Sequence, residues 1–260
     1  MRFQDDMVIK RMDIKRHRFL GLPSAKPRVW IDLSCAESKR AGLSMHTPGR
    51  KVLKWAVKAL GCFAWLPIER IVRGPIKRFE ELDGSEVIEK AVGAPIEYLT
   101  LYMGNDSAKT KFTVMVRVSR SGESKSKRDV IVKLGKTPDA GEAIRNEVEI
   151  LKKLMASPLC AQVPVVQGDV GTEGVWTWSA QSVLPKGKSP VRMQKEHYAF
   201  LEELRRIGIS HGDFAPWNCS IVDGKLYVWD WEDAGPWVEG KDEAWFKKQV
   251  TELLGVHDHL

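Results

Sequence analysis

The sequence predicts an α+β fold in which strands and helices occur in separate groups. Three strand patterns lie between residues 96 and 134 and are separated only by polar loops, which is typical of an antiparallel meander. A helix pattern follows at 138–156, and two more strand patterns, at 163–167 and 175–184, precede a second helix pattern at 192–207. Because helices do not alternate regularly with strands, a repeating βαβ architecture is excluded.

The meander contains the clearest periodicity in the chain. Its strands are expected at 96–103, 112–118 and 129–134, and the middle strand alternates apolar and polar residues. The helix at 138–156 has an apolar stripe at helical spacing, which predicts that one of its faces is buried. The stripe consists of Ile144, Val148, Leu151, Leu154 and Met155.

The segment before the meander predicts less regular structure. Residues 1–28 are expected to be irregular, with a short strand at 29–33. Residues 50–66 predict an amphipathic helix whose apolar face either packs on the protein, which we favour, or lies on an anionic membrane. Its narrow basic face carries Lys51, Lys54 and Lys58.

Composition limits the class of protein and its ligands. The 260 residues are 43% hydrophobic and carry a net charge of +7, with a pI of about 9.2, which favours an anionic partner. The four cysteines form no C-x-x-C pair and predict neither a disulfide framework nor a zinc site. We find no signal-peptide pattern and no apolar run long enough to span a membrane. We therefore expect a cytoplasmic protein, with peripheral contact at an inner membrane surface as a further option.

The first chemical motif is the segment His211-Gly212-Asp213-Phe214-Ala215-Pro216-Trp217-Asn218. Phosphoryl transfer needs a carboxylate that accepts the proton of the acceptor hydroxyl and an oxygen ligand for magnesium nearby. Asp213 and Asn218 have the residue types and the spacing for these two roles. Alone, the same two residues would equally suit a capped turn.

The second motif is a hairpin that follows Asn218. Asp223-Gly224 between two apolar runs predicts a two-residue turn that pairs Val222 with Lys225. This register returns Asp230 to the neighbourhood of Asn218, so that two oxygen ligands for magnesium meet. Strict alternation would place these two side chains on opposite faces, so the ladder must loosen at this end.

The third motif pairs a strand lysine with a helix carboxylate. Lys133 ends the strand sequence Val130-Ile131-Val132, and Glu147 lies beside the buried stripe of the following helix. A buried carboxylate without a partner is costly, and Lys133 is its natural partner. Glu149 is the rival carboxylate, although it lies on the polar side, and Lys133 could instead be an exposed strand-end lysine.

Together these motifs resemble the aminoglycoside phosphotransferase and choline kinase branch of the protein-kinase-like superfamily. The resemblance covers about residues 96–235 and depends on VIVK at 130–133, NEVEILKKL with Glu147, HGDFAPWN at 211–218 and VWDWED at 228–233. It implies a bilobal fold with ATP and Mg²⁺ as cofactors. The implied catalytic base is Asp213, with His211 supporting the loop. The implied metal ligands are Asn218 and Asp230, and Lys133, oriented by Glu147, would hold the α- and β-phosphates.

The resemblance also implies how the nucleotide is surrounded. Gln181, Ser182, Val183 and Leu184 would form the hinge that contacts adenine, and Gly104 and Ser107 would belong to the loop over the phosphates. That loop lacks the G-x-G-x-x-G pattern. The implied domains are an N-terminal extension (1–95), a nucleotide-binding lobe with an antiparallel sheet and one helix (96–184), and a short, truncated, mainly helical catalytic lobe (185–260).

The expected function is therefore an ATP- and Mg²⁺-dependent phosphotransferase that acts on a hydroxyl of a small molecule, sugar or envelope glycan. The alternative is a catalytically weak or inactive kinase-like module that binds nucleotide and acts through a partner or a membrane. The missing glycine pattern and the short lobe after Asp230 motivate that alternative. Nucleic acid is not an expected partner, because the basic segment 119–128 has the pattern of a solvated hairpin tip.

Overall fold

The computed structural model describes residues 13–23, 26–45, 51–104, 111–119 and 127–254. The chain divides into two compact units, and the boundaries between them lie within two strands. The first unit comprises Met1–Met103 and Val114–Arg128, and the second comprises Gly104–Thr113 and Asp129–Leu260. The sequence-based division into segments 1–95, 96–184 and 185–260 stays a prediction.

The first unit is built on an antiparallel sheet flanked by helices. Its strands lie in the order β3-β1-β2-β4-β5. Their bounds are Arg18–Leu22 for β1, Val29–Asp32 for β2, Ile76–Arg78 for β3, Ile96–Met103 for β4 and Lys111–Ser119 for β5, whose first residues belong to the second unit. The helices of this unit are α1 (Ala36–Met45), α2 (Lys51–Cys62), α3 (Ile68–Ile71) and α4 (Ser85–Val92).

Strand β1 corrects the prediction that residues 1–28 are irregular. Leu20 and Leu22 of β1 are buried, and the strand pairs with β2 on one side and β3 on the other. A strand that is buried on both faces does not alternate apolar and polar residues. The two-residue period that predicts a strand is therefore missing from the sequence. Gly21 is required within it, because a Cβ there would lie 2.9 Å from the Trp30 ring.

Helix α2 falls within the helix predicted at 50–66. Val57 and Leu60 pack against the apolar cluster that contains Leu20 and Ile31, so this part of the helix packs on the protein. The side chains of Lys51 and Lys54 lie outside the described residues. The basic face predicted for the start of this helix therefore stays a prediction.

The second unit contains a three-stranded antiparallel sheet, one long helix on it and a group of short strands and helices. Its sheet has the order β6-β8-β7. The bounds are Lys127–Gly135 for β6, Pro138–Met155 for α5, Gly171–Glu173 for β7, Trp176–Ser182 for β8, Lys195–Ile207 for α6, Ile209–Ser210 for β9, Cys219–Val222 for β10, Lys225–Val228 for β11, Gly235–Pro236 for β12 and Lys241–Leu254 for α7.

The strand predicted at 163–167 is wrong. This segment runs beside β8 but contributes only an isolated bridge between Val166 and Gln181. The backbone N–H of Val165 donates to the hydroxyl of Ser182 at 2.9 Å rather than to a carbonyl of the ladder. Two backbone bonds still join the segment to β8, from the Gln167 N–H to the Ala180 carbonyl at 2.7 Å and from the Ser182 N–H to the Val165 carbonyl at 2.8 Å, but the pairing extends no further.

The core of the second unit is aromatic around the loop at 211–218. Phe200, Phe214, Trp231 and Phe246 are all fully buried, and their rings contact one another and the rings of two histidines. This packing fixes the backbone on both sides of the loop. The α+β fold class predicted from the sequence is confirmed. No helix in the described part of the chain is long and apolar enough to cross a membrane.

Candidate functional site

The loop at 211–218 follows β9 and is held by a carboxylate from α7. The backbone N–H groups of His211 and Gly212 donate to the two carboxylate oxygens of Asp242, at 2.7 and 2.9 Å. Gly212 has a φ of +86°, and a Cβ there would collide with the carbonyl oxygen of Asp233. Glycine is therefore required in the loop at this position.

His211 is fully buried, and both of its ring nitrogens bond to the backbone around the loop. Its Nε2 donates to the carbonyl oxygen of Trp229 at 3.1 Å, and its Nδ1 accepts from the N–H of Asp213 at 3.3 Å. Burial lowers the pKa of this imidazole, which favours the neutral form. The ring links the loop to the segment that carries Asp230.

The carboxylate of Asp213 is oriented by two donors. Asn218 Nδ2 donates to its Oδ2 at 2.8 Å, and the indole Nε1 of Trp245 donates to its Oδ1 at 2.6 Å. The same amide nitrogen of Asn218 also donates to the carbonyl oxygen of Asp213 at 3.0 Å. Since both N–H bonds of the amide point to Asp213, the amide oxygen of Asn218 points away and presents a ligand.

The hairpin after Asn218 has the predicted register. Val222 pairs with Lys225, and the backbone N–H of Trp229 donates to the carbonyl oxygen of Asn218 at 3.0 Å. The two turn residues, Asp223 and Gly224, have positive φ values of 51° and 72°, as a two-residue hairpin turn of this type requires.

Asp230 lies two residues beyond the end of β11, and its backbone has an unusual conformation. Its φ is +70°, in the left-handed region that is rare outside glycine, asparagine and aspartate. This turn in the chain ends the alternation of the strand. The loosening that the sequence required at the open end of the hairpin is thus located at a single residue.

Lys133 connects Glu147 and Asp230. Its Nζ donates to Glu147 Oε1 at 2.7 Å and to Asp230 Oδ1 at 2.6 Å. Glu147 is fully buried, and its Oε1 also accepts from the N–H of Trp231 at 3.1 Å. The rival carboxylate, Glu149, is exposed and pairs with Lys153 instead. The pairing of Lys133 with Glu147 that the sequence predicts is therefore present.

The charges in this cluster shift one another's pKa values. Burial alone would raise the pKa of Asp230, but the positive charges of Lys133 and Lys111 outweigh it and hold the pKa below the ordinary value. Burial alone would lower the pKa of Lys133, and the Asp230 and Glu147 carboxylates raise it above the ordinary value. Asp230 and Lys133 are therefore both charged at neutral pH.

Sequence reasoning missed four residues that surround this cluster. Lys111, at the start of β5, contacts the Glu232 carboxylate and lies 3.9 Å from Asp230 Oδ1. Asp242 and Trp245 of α7 hold the loop, as described above. Long-range side-chain pairs of this kind leave no local pattern, although Glu232 stands within the motif VWDWED and its position was visible.

The structure locates most of the residues that the resemblance places around the nucleotide. Gln181 and Ser182 end β8 and pair with Ile131 and Val130, whereas Val183 and Leu184 follow in irregular chain. The N–H of Gly104 donates to the carbonyl oxygen of Lys111 at 2.9 Å. Ser107 lies outside the described residues. The roles implied for all of them stay predictions.

The metal pair predicted from the sequence is one amide and one carboxylate. Within the described ranges, no group of three or more histidine, cysteine, aspartate or glutamate side chains is placed to hold a metal ion. Asn218 and Asp230 both lie at the open end of the hairpin, where the backbone N–H of Trp229 donates to the carbonyl oxygen of Asn218. Two protein oxygens are the usual protein contribution to a Mg²⁺ site that is completed by phosphates and water.

The chain matches no known protein-family profile and no curated protein sequence. Among solved structures, WbdD with the kinase inhibitor LY294002 is 17% identical, with a TM-score of 0.40, over 63% of this chain and 38% of that one. The bifunctional kinase-methyltransferase WbdD is 16% identical, with a TM-score of 0.41, over 61% and 39% of the two chains.

A third solved structure, a Plasmodium kinase domain, is 14% identical, with a TM-score of 0.36, over 52% of this chain and 51% of that one. The matched region thus spans between about two fifths and one half of these proteins. All three are kinases, and the aminoglycoside phosphotransferase branch stays a prediction.

Proposed function

We propose that this chain is an ATP- and Mg²⁺-dependent phosphotransferase that phosphorylates a hydroxyl of a small molecule, sugar or envelope glycan. One observation carries the proposal: within the second unit, Asn218 bonds Asp213, Lys133 bonds Glu147 and Asp230, and the backbone bond from Trp229 to Asn218 brings these two groups to one end of the hairpin. These residues come from four separate parts of the chain. A turn that Asp213 and Asn218 merely cap would not need Asp230, Lys133 or Glu147.

The oxygen donors suit magnesium. The amide oxygen of Asn218 is directed away from Asp213, and Asp230 offers a carboxylate that is ionised well below neutral pH. Oxygen ligands of this kind are those that Mg²⁺ prefers. Asn218 and Asp230 would hold the ion, which supplies positive charge to the phosphates when it is bound.

Lys133 suits the phosphates of the nucleotide. Its ammonium is held between two carboxylates, those of Asp230 and of the fully buried Glu147. A fixed ammonium gives the phosphates a preorganised positive charge, which is the main form of catalysis available for phosphoryl transfer. The backbone of Gln181–Leu184 would then contact the base of the nucleotide.

Asp213 suits the role of base. Its carboxylate is held by Trp245 and Asn218 and keeps lone pairs for a further donor, because each oxygen accepts more than one hydrogen bond. The acceptor hydroxyl would donate to Asp213 and transfer its proton there. The oxygen of the acceptor hydroxyl then forms a bond to the γ-phosphorus of ATP. At the same time the bond between the γ-phosphorus and the β,γ-bridging oxygen breaks, and ADP leaves.

The test is an ATP-consumption screen with Mg²⁺ over sugars, amino alcohols and glycan precursors. We expect turnover with at least one acceptor, and a loss of about 10²–10⁴-fold in kcat for Asp213→Asn, the usual contribution of a general base. Asp223→Asn is the matched control, because Asp223 lies in the exposed hairpin turn. Equal turnover by Asp213→Asn and the wild type would refute the role of Asp213.

The alternative is a module that binds nucleotide without transferring phosphate. Thermal unfolding with and without Mg²⁺-ATP separates it from the kinase, because a ligand that binds only the native state raises Tm. A rise in Tm without turnover on any acceptor would favour the module. No rise in Tm and no turnover would contradict both.

A further inference from the structure

Lys111 occupies an unusual position beside the cluster described above. Its side chain is 12% exposed, contacts the Glu232 carboxylate and lies 3.9 Å from Asp230 Oδ1. Asp230 therefore has two ammonium groups near it, although Lys133 alone already bonds it at 2.6 Å. Lys133 also bonds Glu147, so Lys111 supplies the second positive charge beside the three carboxylates of Glu147, Asp230 and Glu232.

The ammonium of Lys111 is nearly buried and lies among carboxylates, because a buried charge needs an opposite charge beside it. Buried ion pairs generally stabilise a fold no more than apolar residues of the same size. A charged side chain at this position is explained more readily by a ligand than by packing.

The geometry points to Lys111 as a second phosphate-binding residue that occupies the carboxylates of Asp230 and Glu232 until a nucleotide binds. This inference rests on the proposed function. Lys111 begins β5, and its ammonium lies 3.9 Å from the carboxylate that Lys133 bonds. Once Asp230 is engaged elsewhere, the ammonium of Lys111 is released to the phosphate oxygens, where a charge-assisted hydrogen bond is strong.

The test compares the binding of adenosine, ADP and ATP to wild type and to Lys111→Met by titration calorimetry with Mg²⁺. Loss of one charged hydrogen bond predicts about tenfold to hundredfold weaker binding of ADP and ATP. Adenosine, which has no phosphate, should bind equally to both. Lys186→Met, at an exposed position in the linker, is the control and should bind all three ligands like wild type.

Glu232→Gln provides the second arm and does not depend on the folding of Lys111→Met. It removes a carboxylate that competes for Lys111, so ATP should bind more tightly, whereas an ion pair that only supports the fold predicts no gain. Equal ATP binding by wild type and Lys111→Met, or weaker binding by Glu232→Gln, overturns the inference. If the wild type binds no nucleotide at all, the proposed function itself fails.

A separate feature of the first unit carries a second inference. The turn after α2, together with α3, exposes three large apolar side chains: Phe63 at 53%, Trp65 at 67% and Ile71 at 59%. We name these residues the α2–α3 surface. The turn is held by the bond from Leu66 N–H to the Phe63 carbonyl at 2.9 Å and by Lys39 Nζ on the Leu66 carbonyl at 3.1 Å.

The charges around the α2–α3 surface are mainly positive. Arg70 and Arg73 are exposed beside it, and Arg40 reaches the end of α2, where its Nε donates to the Gly61 carbonyl at 3.3 Å. The nearest acid in sequence, Glu69, is only 23% exposed and lies 4.0 Å from Arg18. Aromatic and aliphatic side chains flanked by arginine have the chemistry of the boundary between lipid headgroups and acyl chains.

We infer that the α2–α3 surface binds the surface of an anionic lipid bilayer. Trp65 and Phe63 would enter the headgroup region, and the arginines would contact acidic headgroups. Each arginine near such a surface contributes about 1 kcal/mol, so the binding should weaken with salt. This inference is independent of the proposed function.

The test is co-sedimentation of the full chain with vesicles of phosphatidylcholine, with and without phosphatidylglycerol. We expect binding only with phosphatidylglycerol, and a loss of about tenfold or more in the partition coefficient for Arg70→Ala with Arg73→Ala. Lys186→Ala with Lys188→Ala removes the same charge elsewhere and should bind nearly as well as wild type.

The apolar part is tested with Phe63→Ser and Trp65→Ser together, compared with Val175→Ser and Val191→Ser, which change equally exposed residues in the second unit. Only the first pair should reduce binding. Lack of binding by the wild type, or equal effects of the two pairs, overturns the inference. So does concentration-dependent self-association that the first pair abolishes, because the surface would then bind a second copy.

Discussion

Two buried polar clusters in this chain share their chemistry but differ in their access to solvent. In the first unit, Asp32 is fully buried and accepts from His17 Nδ1 at 2.8 Å, from the N–H of Ser34 at 2.8 Å and from the N–H of Leu99 at 3.4 Å. In the second unit, Lys133 is bonded to fully buried Glu147 on one side and to Asp230 on the other.

The difference lies in the outermost group of each cluster. The Asp230 side chain is 36% exposed, whereas that of Asp32 has no exposure at all. The first cluster is closed by the protein, and its energetic effect is on folding. The second has one face that solvent can reach, and the proposed function assigns its effect to binding. On that proposal, the exposure of the partner, rather than the presence of charge, separates the two clusters.

The largest effect is expected from the closed cluster. Asp32→Ala leaves the donors of His17, Ser34 and Leu99 buried without an acceptor, which should lower the free energy of unfolding by about 3–5 kcal/mol. Urea unfolding measures it, with Glu80→Ala at an exposed site as the control. A loss below about 1 kcal/mol, the scale of an ordinary surface substitution, would show that the cluster is not structural.

The open cluster should respond in activity instead. Asp230→Asn keeps the side-chain shape and suits the left-handed backbone, but removes the carboxylate charge, so kcat/KM for ATP should fall about 10²–10³-fold. The free energy of unfolding should change far less than in Asp32→Ala. Steady-state kinetics and urea unfolding of the same preparation measure the two effects. Unfolding of the chain by Asp230→Asn would contradict the predicted difference between the two clusters.

A smaller effect is expected at Trp245, which orients Asp213, the proposed base, without belonging to either cluster. Trp245→Phe keeps the ring but removes the donor to Asp213 Oδ1, so kcat should fall about tenfold, the value of one hydrogen bond to a charged group. KM for ATP should stay constant, because no phosphate contact changes. Trp217→Phe, at an exposed position in the loop, is the matched control for loss of an indole.

The smallest effect concerns acid stability. Because the folded-state pKa of Asp230 lies below its ordinary value, its stabilising contribution is present above about pH 4 and is lost as the pH falls through that lower pKa. The wild type should therefore lose more stability than Asp230→Asn between about pH 4 and pH 2. The test is the urea midpoint of unfolding of the wild type and of Asp230→Asn over this pH range, with Asp223→Asn as the control. Equal losses of stability in the wild type and Asp230→Asn would contradict the prediction.

Local patterns in the sequence predicted the parts of the site that depend on short-range order. The Asp223-Gly224 turn determines the register of β10 and β11, and the buried stripe of α5 identifies Glu147 as the carboxylate that needs a partner. The positive φ of Asp230 was foreseen only as a need for the ladder to loosen.

The rest depends on side chains that meet across long stretches of chain. Trp245 bonds a residue 32 positions earlier, and Lys111 approaches Asp230 from a different strand. No spacing or periodicity encodes such pairs. Strand β1 was missed for another reason: a strand buried on both faces has no alternation to detect.

The hold of α7 on the loop has a consequence for the order of events during protein synthesis. Asp213 leaves the ribosome 32 residues before Trp245, and His211 leaves it 31 residues before Asp242. Until α7 has emerged, the N–H groups of the loop lack their acceptor and Asp213 lacks its indole donor. A nascent chain that already displays the whole motif at 211–218 is therefore not yet able to assemble the site.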